Sequence, residues 1–133
     1  MNVSPYLSFD GQCEAAFRFY EQVLGGKIES LIPYEGSPMA SEVPVDWGPK
    51  VMHGEYKLGE LVLMGSDCAP GQYKSAKGTS LMIAIADPAE AELSFNALAE
   101  GGTVTMPIQK TFWAAKFGTL VDQFGIPWMI NCE

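Results

Sequence analysis

The chain holds a single histidine, His53, the one side-chain type whose unperturbed pKa lies near neutrality. It falls in an alternating segment, Val51-Met52-His53-Gly54-Glu55-Tyr56. There it can serve as a general base, as a hydrogen-bond donor to an anionic ligand, or as a structural histidine with one nitrogen on backbone. Glu55 shares its side of an extended strand, although Glu55 and Glu60 also suit a solvent face. Phe112, Trp113 and Phe117 crowd into six positions, and Trp47 stands in a longer loop. Such aromatics can wall a ligand pocket, form a dimer contact or fill a core. Cys13, at the start of a helix, is either a thiol activated by the helix N-terminus or a small buried apolar residue. Cys13, Cys68 and Cys132 are odd in number and irregularly spaced, which favours free thiols over a disulfide framework or a zinc site. Asp67 and Asp122 read as turn and capping residues, and no local Ser-His-Asp or Cys-His pattern accompanies the histidine.

The elements that must position these residues come from a repeat. Glu14 to Ile28 aligns without gaps on Glu90 to Val104, 76 positions later, with the Glu, Ala, Phe and both Gly positions identical. Phe17, Tyr20 and Leu24 are the expected inward face of the first helix, and Leu93, Ala97 and Asn96 that of the second. Each helix ends at a Gly pair, and Asp87-Pro88 is a good start for the second. Strand-like segments precede the helices at Tyr6 to Phe9 and Ser80 to Ala86. Others follow at Lys27 to Tyr34, Val51 to Tyr56 and Leu61 to Met64, then at Thr103 to Met106, Lys116 to Val121 and Pro127 to Asn131. Lys57 to Glu60 and Asp122 to Gly125 are the hairpin turns. The offset shrinks to 66 between Gly59 and Gly125, so the loop from Glu35 to Pro49 is longer than its counterpart. Two tandem βαβββ modules follow, about 1–66 and 78–133, in one α+β domain with curled mixed sheets.

With 133 residues, 47% of them apolar, the chain suits one packed domain. No secretory signal or membrane span is read from it, so a soluble, cytoplasmic protein with no membrane partner is expected. A net charge of −8 with eight scattered basic residues repels phosphate backbones and excludes nucleic acid as a partner.

Several strings carry a resemblance: Pro5-Tyr6-Leu7-Ser8-Phe9-Asp10-Gly11, Ala16-Phe17-Arg18-Phe19-Tyr20, Val23-Leu24-Gly25-Gly26, Val51-Met52-His53-Gly54, Leu63-Met64-Gly65-Ser66-Asp67, Thr111-Phe112-Trp113 and Asp122-Gln123-Phe124-Gly125-Ile126-Pro127-Trp128. Together they resemble the PhnB-like branch of the vicinal oxygen chelate (glyoxalase/bleomycin-resistance) superfamily. That resemblance implies half-barrel modules forming a ligand-holding cup, and a homodimer, often with strands exchanged between subunits. It also implies a divalent metal held by the first and fourth strands of each module, at positions that fall at or near Pro5, Leu63, Leu81 and Met129. None of these offers a carboxylate or imidazole, and the neighbours one residue away offer at best a phenol. The branch also carries the label demethylubiquinone methyltransferase. A methyltransferase of the usual kind needs a Gly-rich turn after a buried strand, whereas both Gly pairs here follow helices.

The expected function is metal-free and cofactor-free: a small, partly apolar molecule is bound or transformed in the cup, with His53 as the catalytic candidate and Trp47, Phe112, Trp113 and Phe117 as ligand contacts. A metal-dependent lyase, isomerase or transferase of the glyoxalase type, and a non-enzymatic dimerising module, are the alternatives.

Overall fold

The computed structural model describes residues 1–133. Tyr6–Phe9 forms β1, Cys13–Leu24 α1, Lys27–Pro33 β2, Val51–Leu58 β3 and Leu61–Asp67 β4. The same order returns as β5 (Leu81–Ala84), α2 (Pro88–Ala99), β6 (Thr103–Gln109), β7 (Lys116–Val121) and β8 (Pro127–Cys132). Each set forms a four-stranded mixed sheet, ordered β1-β4-β3-β2 and β5-β8-β7-β6. In both, the first strand runs parallel to the fourth and the remaining pairs are antiparallel. The chain divides into two compact units, Met1–Lys74 and Ser75–Glu133. The α+β class and the doubled βαβββ order are those expected.

In the first unit, α1 buries Cys13, Ala16, Phe17 and Tyr20, the i, i+3, i+4, i+7 stripe of an amphipathic helix. Phe17 lies over two strands that carry glycine beneath it. A Cβ on Gly54 or Gly65 would come within 3.0 Å of its ring. Phe9, Tyr20 and Tyr56 surround it with ring centroids 5.9, 6.3 and 5.9 Å away. The Tyr56 hydroxyl also reaches the carbonyls of Tyr20 and Gly25, tying the end of α1 to β3.

Gln12 offers α1 no side-chain cap. The orphan N–H groups of a helix start still need acceptors, and Asp67, at the end of β4, supplies one. Its Oδ1 accepts from Cys13 N at 2.9 Å and its Oδ2 from Val51 N at 2.8 Å. Tyr34 donates its hydroxyl to the Asp67 carbonyl at 2.6 Å. This carboxylate, 1% exposed, therefore joins α1 to β3.

In the second unit, α2 caps itself: Asp87 Oδ2 accepts from Glu90 N at 3.1 Å and Pro88 follows at the helix start. Its inward face is not the expected one. Ala91, Phe95 and Leu98 are buried, whereas Leu93 is 71% exposed and Asn96 is exposed. The gapless repeat misled because it was anchored on the glycines. Gly26 and Gly102 do correspond, since a Cβ on either would run into the carbonyl of Lys57 or Val121. Phe95, however, is the counterpart of Phe17, lying over Gly118 with 2.7 Å to an added Cβ, and it stands 78 positions later. The second module is thus two residues shorter between its buried Phe and its Gly pair.

Asp122 is the turn residue expected of it. Its Oδ1 accepts from Phe124 N and Ile126 N at 2.8 and 3.0 Å, and its Oδ2 takes the Trp128 indole N–H at 2.8 Å. No helix is long and apolar enough to cross a membrane.

Candidate functional site

Each sheet has a face covered by its helix and an open face. Alternation along a strand then assigns every side chain. Because Gly54 and Gly65 meet Phe17 on the helix face, His53 and Glu55 of β3 and Met64 and Ser66 of β4 lie on the open one. Cross-strand register adds Tyr6 and Ser8 from β1, opposite Met64 and Ser66, and Ser30 and Ile32 from β2, opposite Glu55 and His53.

His53 is held there between two side chains. Its Nδ1 is 3.4 Å from the Tyr6 hydroxyl, with the two rings 5.9 Å apart. Its Nε2 is 3.7 Å from Glu55 Oε2. The His53 and Glu55 side chains are 30% and 35% exposed and Tyr6 is 51% exposed. These separations are long for hydrogen bonds. The partners of the imidazole are thus a phenol and a carboxylate rather than backbone. Tyr6 was the member that sequence reasoning missed. Its signal was there: strand parity and the parallel β1–β4 pairing place it beside Met64.

In the second unit Gly118 lies under Phe95, so Phe117 and Thr119 take the open face. Register adds Met82, Ala84, Met129 and Asn131. Phe117 occupies the position that His53 holds in the first unit, as the repeat implied. Trp113 meets Phe117 edge-on at 5.2 Å and Phe112 meets Trp113 edge-on at 4.7 Å. The outer end of this cluster is bare, with Phe112 98% exposed.

Trp47 is engaged elsewhere. Its ring packs over Gly11, 3.0 Å from where a Cβ would stand, and Lys50 Nζ lies 5.5 Å above it while donating to the Gly11 carbonyl at 3.0 Å. The long loop is thereby folded against the β1–α1 turn. That loop also lines a cavity of about 220 Å³ bounded by Glu14, Leu31, Pro33, Glu35, Pro49 and Val51.

Cys13 is fully buried, and burial, followed by the Asp67 and Glu14 carboxylates, pushes its thiol well above the ordinary range. It is a packed core residue rather than an activated nucleophile. Cys132 is buried as well, all three cysteines are free, and Cys68 is half-buried.

Of the four metal positions that the resemblance implies, Met129 lies on the open face and the other three do not. Leu63 is buried on the helix face, Leu81 takes the same face of its own sheet, and Pro5 precedes β1. The open-face residues at those levels are Tyr6 and Met64 in the first unit and Met82 and Met129 in the second, each pair in register. One phenol and three thioethers do not fit a divalent cation that requires carboxylate or imidazole ligands. No group of three or more His, Cys, Asp or Glu side chains is gathered where it could hold a metal ion.

A βαβββ unit used twice, with mixed sheets, is the fold shared with a glyoxalase-related enzyme from Fulvimarina pelagi and a glyoxylase/bleomycin resistance protein/dioxygenase domain from Frankia sp. EAN1pec, at 17% and 16% identity and TM-scores of 0.66 and 0.68. More narrowly, the chain belongs to the family described as 3-demethylubiquinone-9 3-methyltransferase, whose sequence model matches residues 1–131. It is 33% identical to Protein YjdN of Escherichia coli K12 over 98% of this chain and 95% of that one. The crystal structure of protein PA1353 from Pseudomonas aeruginosa is similar with 47% identity and a TM-score of 0.90, covering 100% and 98% of the two chains. A putative 3-demethylubiquinone-9 3-methyltransferase, PhnB protein, from Bacillus cereus shares the fold at 23% identity and a TM-score of 0.86, over 100% of each chain.

Proposed function

We propose that the protein binds a small, partly apolar molecule on the open face of its first module, where proton handling rather than metal chemistry is available to act on it. The observation that carries this reading is the Tyr6–His53–Glu55 group. It sets the chain's one histidine between a phenol and a carboxylate, beside the apolar Met64 and the 42% exposed Ile32. A histidine so placed can act as a general base or general acid toward a bound molecule. The methyl transfer in the family's description finds no support in the glycines. Gly25-Gly26 and Gly101-Gly102 end helices instead of cradling a cofactor after a strand. Native mass spectrometry of the purified protein tests the reading. A co-purified small molecule that is lost from His53→Ala supports it; one retained fully by that variant contradicts it.

We also propose a homodimer. The exposed Phe112 and Trp113 and the exposed edge strand β6 supply apolar area and unpaired backbone that a second copy would cover. Light scattering that gave a mass near 14.4 kDa at all concentrations would remove this proposal.

A further inference from the structure

We propose that the cavity between α1 and the long loop, on the helix side of the first sheet, is a second binding site, and that its ligand is a small aliphatic amine in its ammonium form. This site is separate from the open face and does not depend on the reading given above.

The cavity encloses about 220 Å³ between Glu14 of α1, Leu31 and Pro33 of β2, Val51 of β3, and Glu35 and Pro49 of the loop. Leu31 fixes the side of the sheet on which it lies. That side chain comes 3.2 Å from a Cβ added to Gly54, the glycine beneath Phe17. Tyr6, His53 and Glu55 occupy the opposite face. Leu31, Pro33, Pro49 and Val51 make the walls aliphatic, and the two proline rings have little freedom to refill the space. An apolar cavity of about 150 Å³ takes up a benzene ring, so a hydrocarbon group of about six carbons fits here.

The two acidic residues at this cavity are not equivalent. Glu14 is already matched, since Arg18 meets its Oε2 through Nε and a terminal guanidinium nitrogen, both at 2.9 Å. The Glu35 side chain has no hydrogen-bond or ion-pair partner. Lys50, the one cation of the loop, is engaged elsewhere: it donates to the Gly11 carbonyl at 3.0 Å and lies over the Trp47 ring. The other charged residues of the loop, Glu42 and Asp46, are acidic too. Glu35 is nevertheless held in place. Its N–H donates to the Gly48 carbonyl at 2.9 Å. Its side chain lies against Gly48, with Oε2 3.1 Å and Cβ 3.2 Å from where a Cβ on that glycine would stand. An uncompensated carboxylate at the edge of an aliphatic cavity selects a molecule with a cation at one end and hydrocarbon at the other. A neutral ligand forgoes the ion pair, and an anion is repelled. Glu35 is exposed, so the preference for the cation is modest.

The test titrates cyclohexylamine, cyclohexanol and cyclohexanecarboxylate at pH 7 into ¹⁵N-labelled protein. Saturable amide shifts are expected at Leu31, Glu35 and Val51. The amine should bind about three- to fivefold more tightly than the alcohol, and the carboxylate most weakly. Glu35→Gln, at an exposed position that tolerates the change, should lower the amine to the affinity of the alcohol and leave the alcohol unaltered. Glu60→Gln, in the turn between β3 and β4, should alter neither, which separates the local carboxylate from the chain's net charge of −8. Equal affinity for amine and alcohol, or a preference for amine that survives Glu35→Gln, overturns the assignment of the ligand. Shifts that map away from the cavity, or no saturable binding by any of the three, remove the site. Neither result bears on the open face, which is tested by the molecule lost from His53→Ala.

Discussion

The two modules share strand order, register and a Phe packed over glycine, yet they differ in what holds the helix and in what the open face displays. In the first, α1 is capped from a distance by Asp67 at the end of β4; in the second, α2 is capped locally by Asp87. Cys132 stands where Asp67 would, at the corresponding strand end, with its thiol against the Ala86 carbonyl. Across the open faces, Tyr6, His53 and Glu55 in the first module correspond to Met82, Phe117 and Thr119 in the second. A doubled scaffold has kept its packing and placed its ionisable groups in one half. The second half displays thioethers, an aromatic cluster and hydroxyls.

The largest expected effect comes from the long-range cap. Asp67→Ala leaves two buried N–H groups without acceptors and should lower stability by about 3–5 kcal/mol, measured by urea unfolding. Asp87→Ala removes only an exposed cap and should cost about 1 kcal/mol. Equal losses would erase the distinction between the modules.

Next in size is steric. Gly118→Ala forces a Cβ to 2.7 Å from the Phe95 ring and 2.9 Å from the Ile108 backbone, whereas Gly54→Ala meets only side chains, at 3.0 and 3.2 Å. The first should cost about 2–3 kcal/mol and the second about 1 kcal/mol by the same unfolding measurement. A reversed order would show that the second module's helix packs more loosely than its glycine suggests.

A third contrast lies in alkali. Burial, with a smaller effect of Glu21, pushes the Tyr56 hydroxyl up to about 12 in the folded protein, while its counterpart Leu120 has no titratable group. A raised folded pKa means the native state holds its proton where the unfolded chain has released it. The stabilisation is therefore complete below pH 10 and fades as pH rises from 10 to about 12, by on the order of 2 kcal/mol. The raised Cys13 thiol extends this loss to lower pH, from its ordinary value near 9. Unfolding followed from pH 8 to 12 should show that decline, and Tyr56→Phe should flatten its upper part.

The smallest effect on folding is expected from Phe112→Ser, within about 0.5 kcal/mol for a side chain so exposed. The same change should weaken self-association measured by light scattering. A large loss of stability would place Phe112 in the fold's core energetics instead.

Much of this was legible in the sequence, and the failures have physical reasons. Strand positions followed from alternation, and the Asp87-Pro88 start from capping chemistry. The inward face of α2 was misread because the Gly pair, required by close contact with a strand carbonyl, keeps its spacing independently of the helix above it. Asp67 was recognised as a cap, but the helix it serves was hidden, since contacts over 54 residues leave no local signal. Leu63 and Met64 are both apolar, so the sequence could not say which of them faces out, and only the glycines under Phe17 show it. His53 and Phe117 were placed on matching faces by the repeat itself, whereas Tyr6 required the β1–β4 pairing.

The central claim is that ligand chemistry resides on the first module's open face. Met64 lies in that face beside Tyr6, and Met129 holds the matching position in the second module. Protein labelled with ¹³C at the methionine methyls and titrated with 4-methylphenol tests the claim most directly. The account predicts that the Met64 methyl shifts in a saturable manner, that Met129 moves far less, and that His53→Ala abolishes the Met64 response. A saturable shift at Met129 with Met64 unmoved would contradict it.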